Sequence, residues 1–160
     1  MHIVGLGMDV SHPKLLAGVA SQKIAREQRA KMIGDRLLAK GFAGCYEGAK
    51  AIAGDSQLGR PHFAQYLLKQ GNVSSIKQAF KKHLGSGKAG DVKATWADMA
   101  QVIDWITVSG GSAILAHPLH YKMTATKLRA LITDFKEAGG RAIEVVSGVL
   151  PNDKVQYVAT

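Results

Sequence analysis

The spacing of apolar residues changes several times along the chain, and these changes mark out its elements. His2-Ile3-Val4-Gly5-Leu6-Gly7 is a short apolar run ending in glycine, which predicts a strand leading into a loop. It begins one residue into the sequence. Chains rarely open on a buried strand, so a truncated N-terminus is expected. Ser11-His12-Pro13 then opens a long helical pattern. Ser11 can cap free backbone N–H groups, and Pro13 suits a first turn, where its missing N–H costs nothing. The pattern runs over about 14–40 and stops at Gly41. Leu16, Val19, Ile24, Ile33 and Leu37 form an imperfect apolar stripe, and Arg26, Arg29, Lys31, Arg36 and Lys40 form the polar faces. Shorter helices are predicted over 46–53, 61–70 and 74–84, each followed by glycine. This stretch has almost no strand signal and reads as an all-helical block.

The pattern changes near Thr95. Thr95 with Asp98 resembles a capping box, with Asp in place of the usual Glu, and predicts a helix to about residue 108. Ser112-Ala113-Ile114-Leu115-Ala116 is an uninterrupted apolar run of the kind found in buried parallel strands. A helix over 124–138 follows. Ala142-Ile143-Glu144-Val145-Val146 gives a second buried strand, and a last helix is expected from near Pro151. Helices and strands alternating between glycines predict an α/β fold. The expected organisation is a strand and loop over 1–10, an inserted helical block over 11–94, and an α/β segment over 95–160.

Length and composition refine this picture. The 160 residues suit one domain of ordinary size, and 46% hydrophobic with only 6% aromatic residues predicts a core of Ala, Leu, Ile and Val. No apolar run approaches the roughly 18 residues of a membrane span, and the basic start of a signal peptide is missing. Cys45 is the one cysteine, so no internal disulfide can form, and a cytoplasmic location is expected. The net charge of +9 lies mostly between Lys14 and Lys93 and would attract polyanions, although a solvated helix surface gives the same count.

Several residues could carry chemistry. His117 follows an apolar strand, at the edge where α/β proteins build their sites, and imidazole suits zinc, manganese or iron. Pro118 stiffens its exit. An ordinary structural histidine fits the same pattern. His2 opens the other strand, and His120 and Tyr121 lie just past His117. Arg60-Pro61-His62 precedes a helix whose free N–H groups, with an Arg and a His, would suit a phosphate. Gly85-Ser86-Gly87-Lys88 lacks the spacing, the following Ser or Thr and the preceding strand of a phosphate-binding loop. Glu144 stands among apolar neighbours, either as a site residue or as a structural ion-pair partner. Cys45 reads as a small helix-packing residue.

The ordered set of motifs goes further. His2-Ile3-Val4-Gly5-Leu6, Arg60-Pro61-His62-Phe63-Ala64, Ala113-Ile114-Leu115-Ala116-His117-Pro118 and Glu144-Val145-Val146-Ser147-Gly148 occur in the order found in PHP (polymerase and histidinol phosphatase) phosphoesterases. The branch it resembles is the TrpH/YciV-like one, which includes nucleoside 3',5'-bisphosphate phosphatases and 5'-to-3' exoribonucleases. The resemblance covers essentially the whole chain. It implies part of a distorted seven-stranded α/β barrel with an inserted all-helical subdomain. It also implies a site for divalent metals, manganese first and magnesium, zinc or iron after it, acting on phosphorylated nucleotides or short RNA through a metal-activated water. No membrane or protein partner is implied.

Carried over by position, His2 and His117 match metal ligands, and Arg60, His62 and Tyr121 match residues that would contact substrate. Two departures stand out. The usual Gly-Arg-Tyr after Ala-His-Pro is here Leu119-His120-Tyr121, and the family's remaining ligands, an N-terminal His-x-His set and a C-terminal Asp-x-His, do not occur. An internal fragment without catalytic activity of its own is therefore expected. The rival readings are a non-enzymatic basic module that binds nucleic acid, and a purely structural domain.

Overall fold

The computed structural model describes residues 1–93 and 95–146. It divides into two compact units, one made of Met1–Ala20 and the chain from Ala97 onward, the other of Ser21–Trp96. The helix expected from Pro151, with Ser147 and Gly148, lies outside the described residues.

The first unit is built on a three-stranded sheet in the order β1-β2-β3, with β1 Ile3–Leu6, β2 Ser112–Leu115 and β3 Ala142–Ile143. β1 runs antiparallel to β2 with Ile3 opposite Leu115, and β3 runs parallel to it with Leu115 opposite Ile143. Side chains alternate across a strand. Ala113 and Leu115 therefore point into the core, while Ile114 on the other face is only half-buried. This corrects two expectations. β2 is buried on one face, in a mixed sheet, and the 142–146 run pairs over two residues only, ending with Val146 exposed.

Helices α5 Met99–Val108 and α6 Ala125–Glu137 supply Ile103, Ile106 and Phe135 to the same core. The cap of α5 is Asp98, which accepts the Gln101 N–H while the Gln101 side chain accepts the Asp98 N–H. Thr95 has no part in that cap. Thr124 caps α6 through the Lys127 N–H.

The long helix α1, Pro13–Leu38, begins in the first unit. Its expected cap is corrected too. The Ser11 hydroxyl donates to Asp9 Oδ1 at 2.6 Å, forming a tight turn, and the helix opens with the Leu16 N–H on the His12 carbonyl. Leu15 is buried here, and Gly18 lies so close under Trp105 that a Cβ would come within 2.4 Å of the ring. Leu16 and Val19 are one residue out of phase with this contact and, like Ile24, are exposed.

The second unit is helical. The rest of α1 packs with α2 Cys45–Ala53, α3 Arg60–Lys69, α4 Ile76–Ala79 and a π-helical turn at Phe80–Leu84. Ala30, Ile33 and Leu37, at helical spacing on α1, join Cys45, Ala49, Phe63, Leu67 and Leu84 in a buried apolar core. Arg29 Nε donates to the Val92 carbonyl at 2.9 Å and holds the exit segment against α1. None of the described helices is long and apolar enough to cross a membrane.

Candidate functional site

The pairing of the strands explains why three distant residues meet. β1 is antiparallel to β2, so its beginning lies beside the end of β2. The Ala116 N–H donates to the His2 carbonyl at 3.0 Å and carries the ladder one step past both strands. β3 is parallel to β2, so its end reaches the same edge, and the Glu144 N–H donates to the Leu115 carbonyl at 2.9 Å. His2, His117 and Glu144 therefore occupy one edge of the sheet.

The two imidazoles meet edge to face. Their centroids are 4.8 Å apart with planes at 88°, and His2 Nδ1 lies 2.9 Å from His117 Nε2. One tautomer pair makes this a hydrogen bond. The same spacing suits a shared cation, because two imidazoles about 2.0–2.1 Å from one ion hold their nitrogens roughly 2.9–3.4 Å apart. The donor set thus fits a divalent metal in part. Among the described residues, no group of three or more His, Cys, Asp or Glu is gathered to complete it.

The surrounding contacts fix these rings. His117 has φ 35° and ψ 53°, the one non-glycine residue with positive φ among those described. A left-handed conformation costs an L-residue about 1–2 kcal/mol, and a following proline disfavours it further. The Glu144 carboxylate offsets this by accepting the His117 backbone N–H at 2.8 Å. Tyr121, beyond a short 3-10 turn at Pro118–His120, folds back over both strands. Its hydroxyl accepts the His2 N–H at 2.8 Å and donates to the Ala116 carbonyl at 2.8 Å. Its ring lies 5.7 Å from that of His117, and the His120 ring lies 6.0 Å from it.

Of the residues singled out in the sequence, the structure brings together His2, His117, Tyr121 and Glu144. The Glu144 carboxylate engages the backbone N–H of His117, a contact that sequence reasoning did not foresee. Arg60 and His62 belong to the helical unit and have local partners there. His62 Nδ1 accepts the Gly59 N–H at 3.1 Å, closing the start of α3. Arg60 Nη1 donates to the Leu84 carbonyl at 3.1 Å and lies 3.7 Å from Asp91 Oδ1. Cys45 is buried in the helical core, which pushes its thiol up to about 11.

No family model matches the chain. Individual proteins do. The chain is 48% identical over 159 residues to a 5'-3' exoribonuclease of Haemophilus influenzae, covering 99% of this chain and 58% of that protein. It is 42% identical over 149 residues to a 3',5'-nucleoside bisphosphate phosphatase of Chromobacterium violaceum, covering 92% and 52%. The solved structure of an amidohydrolase from Chromobacterium violaceum, with bound sulfate and no metal, superposes with a TM-score of 0.81 at 41% identity over 97% of this chain and 55% of that one. A proposed metal-dependent phosphoesterase from Bifidobacterium adolescentis shares the fold at a TM-score of 0.74 and 22% identity, over 99% and 56%. The chain spans a little over half the length of the curated relatives it matches. The resemblance seen in the motifs is borne out: this chain is a homologue of bacterial 5'-3' exoribonucleases and 3',5'-nucleoside bisphosphate phosphatases.

Proposed function

We propose that the chain contributes to a metal-dependent phosphoesterase that hydrolyses phosphate esters of nucleotides or short RNA. In this reading His2 and His117 are two of the metal ligands, manganese being the first candidate. The sheet is part of a distorted seven-stranded barrel into which residues 11–94 are inserted. The observation that carries the reading is the convergence of His2 Nδ1 and His117 Nε2 to 2.9 Å at the strand edge. His2 and His117 would hold the divalent cation there, and the chemistry it would supply is an activated water and neutralisation of phosphate charge.

The chain's own residues prepare that place. Glu144 fixes the His117 backbone, and the Tyr121 hydroxyl ties the start of β1 to the end of β2. With its hydroxyl so engaged, Tyr121 would meet substrate through its ring. Arg60 and His62 are proposed phosphate contacts of the helical unit. Two imidazoles do not make a working cluster of metals, so hydrolysis needs further ligands, and the chain alone is expected to be inactive.

The test measures manganese binding by the electron paramagnetic resonance of the free ion, alongside turnover of a nucleoside 3',5'-bisphosphate. Binding that weakens at least tenfold in both His2→Ala and His117→Ala, with no turnover, is expected. Binding unchanged in both variants would remove the metal site. Turnover by the chain that His117→Ala abolishes would overturn the expected inactivity.

A further inference from the structure

The formal charge is divided unevenly. Ser21–Trp96 holds fourteen Lys and Arg against five Asp and Glu, an excess that equals the +9 of the whole chain; the other residues hold seven of each sign. The positive charge is therefore a property of the helical unit alone.

Within that unit, guanidinium groups converge on one segment. Arg26, Arg29 and Arg36 have the spacing of one face of α1. Arg29 holds the Val92 carbonyl, Arg36 Nη1 donates to the Asp91 carbonyl at 3.3 Å, and Arg60 reaches Asp91 from α3. Arg26 lies over the ring of Trp96, 4.6 Å from its centroid. Asp91 is the carboxylate in contact here, and its other oxygen accepts the Gly87 N–H at 2.8 Å. The cluster is crowded with like charge: burial first, and then the Arg60 charge, lower the Arg29 pKa from its ordinary value. Lys88 and Lys93 are exposed on the same segment.

Two features give this surface a ligand more specific than a polyanion. Each of these hydrogen bonds engages one N–H of a group that carries five, so a guanidinium can hold a backbone carbonyl and a phosphate oxygen together. Trp96 keeps 44% of its surface exposed beside Arg26, whereas Phe63 in the same unit is fully buried. Aromatic faces interleaved with arginines bind unpaired bases and their phosphates. We propose that Arg26, Arg29, Arg36, Lys93 and Trp96 form a binding surface for single-stranded RNA, with phosphates on the cations and a base stacked on Trp96. This extends the proposed function, which rests on an RNA or nucleotide substrate, but it does not require the metal.

The experiment is fluorescence anisotropy of a labelled oligouridylate of about ten nucleotides with the whole chain. A chelator is present throughout, so failure of the metal-site reading cannot affect the result. Wild-type binding is expected to weaken linearly with salt on logarithmic axes. Trp96→Ala is expected to lose roughly 5- to 100-fold in affinity, with Trp96→Phe close to wild type. Arg26→Gln is expected to weaken binding and reduce the salt slope by about one. Absence of binding at low salt would overturn the proposal. So would a folded Trp96→Ala protein that binds as wild type does, or equal displacement by inorganic polyphosphate and by unlabelled RNA at equal phosphate. Circular dichroism checks each variant. If Trp96→Ala loses helix, Arg26→Gln and Lys93→Gln decide, and wild-type affinity in both would overturn the proposal.

Discussion

Glu144 holds His117 by its backbone: the carboxylate Oε2 accepts the His117 N–H at 2.8 Å. A residue at the end of β3 thereby sets the conformation of one at the end of β2. Removing the acceptor in Glu144→Ala leaves a part-buried N–H unpaired and is expected to cost about 1–2 kcal/mol. Glu144→Gln keeps an acceptor oxygen and is expected to recover about half. Urea unfolding of the three proteins checks the order, and equal stabilities would show that the contact contributes nothing.

The left-handed backbone of His117 separates stability from site chemistry. Glycine adopts φ 35° without the Cβ penalty, so His117→Gly is expected to be about 1 kcal/mol more stable than His117→Ala. Both variants lose the imidazole, and under the proposed function both are expected to lose manganese affinity. Thermal unfolding paired with a metal titration tests this, and His117→Ala matching His117→Gly in melting temperature would contradict the strain.

Close packing of α2 on α3 depends on Gly48, where a Cβ would come within 1.9 Å of the Tyr66 ring. Alanine improves helix propensity by about 1 kcal/mol, but overpacking of this kind costs about 1–3 kcal/mol. Gly48→Ala is therefore expected to destabilise the chain. A raised denaturation midpoint would mean that Tyr66 swings clear.

Cys45 predicts a pH effect. Burial raises its thiol from 9.0 to about 11, so the unfolded chain releases this proton at lower pH than the folded one. Between about 9 and about 11 the folded state binds more protons, and stability falls as pH rises. Cys45→Ala is expected to flatten that part of the stability profile relative to wild type. In the native state at pH 8 the thiol is also expected to react with a disulfide reagent far more slowly than in denaturant.

The helices were largely legible in the sequence because glycines punctuate them. Cys45–Ala53, Arg60–Lys69 and Ala125–Glu137 fall within a residue or so of the expected bounds. Caps were harder, because several polar side chains compete for the same N–H. Asp98 takes the cap of α5 without Thr95, and Ser11 turns to Asp9. An apolar run does not reveal how many of its faces are covered, so β2 and β3 were read as more buried than they are. At the candidate site, His117 could be seen as a strand-end histidine. Its nearness to His2 depends on the antiparallel sense of β1, and its tie to Glu144 depends on the register of Leu115 with Ile143. Neither relationship leaves a mark on local sequence. The Arg26–Trp96 stack joins residues seventy positions apart and was hidden for the same reason.

The pairing of β1 with β2 also bears on how the chain folds. His2 and His117 are 115 positions apart. Loop-closure entropy rises only with the logarithm of length, roughly 0.6 kcal/mol per doubling, so many residues can intervene at small thermodynamic cost. Folding rate is more sensitive, because loop closure must precede the reward of a non-local pairing and such pairings therefore form slowly. The helices can assemble from near neighbours, whereas the imidazole pair waits for an edge strand of four residues to dock. Fraying of that strand is expected to separate the imidazoles while the helices stay formed, so the histidine pair would report the docking of β1 rather than the integrity of the helices.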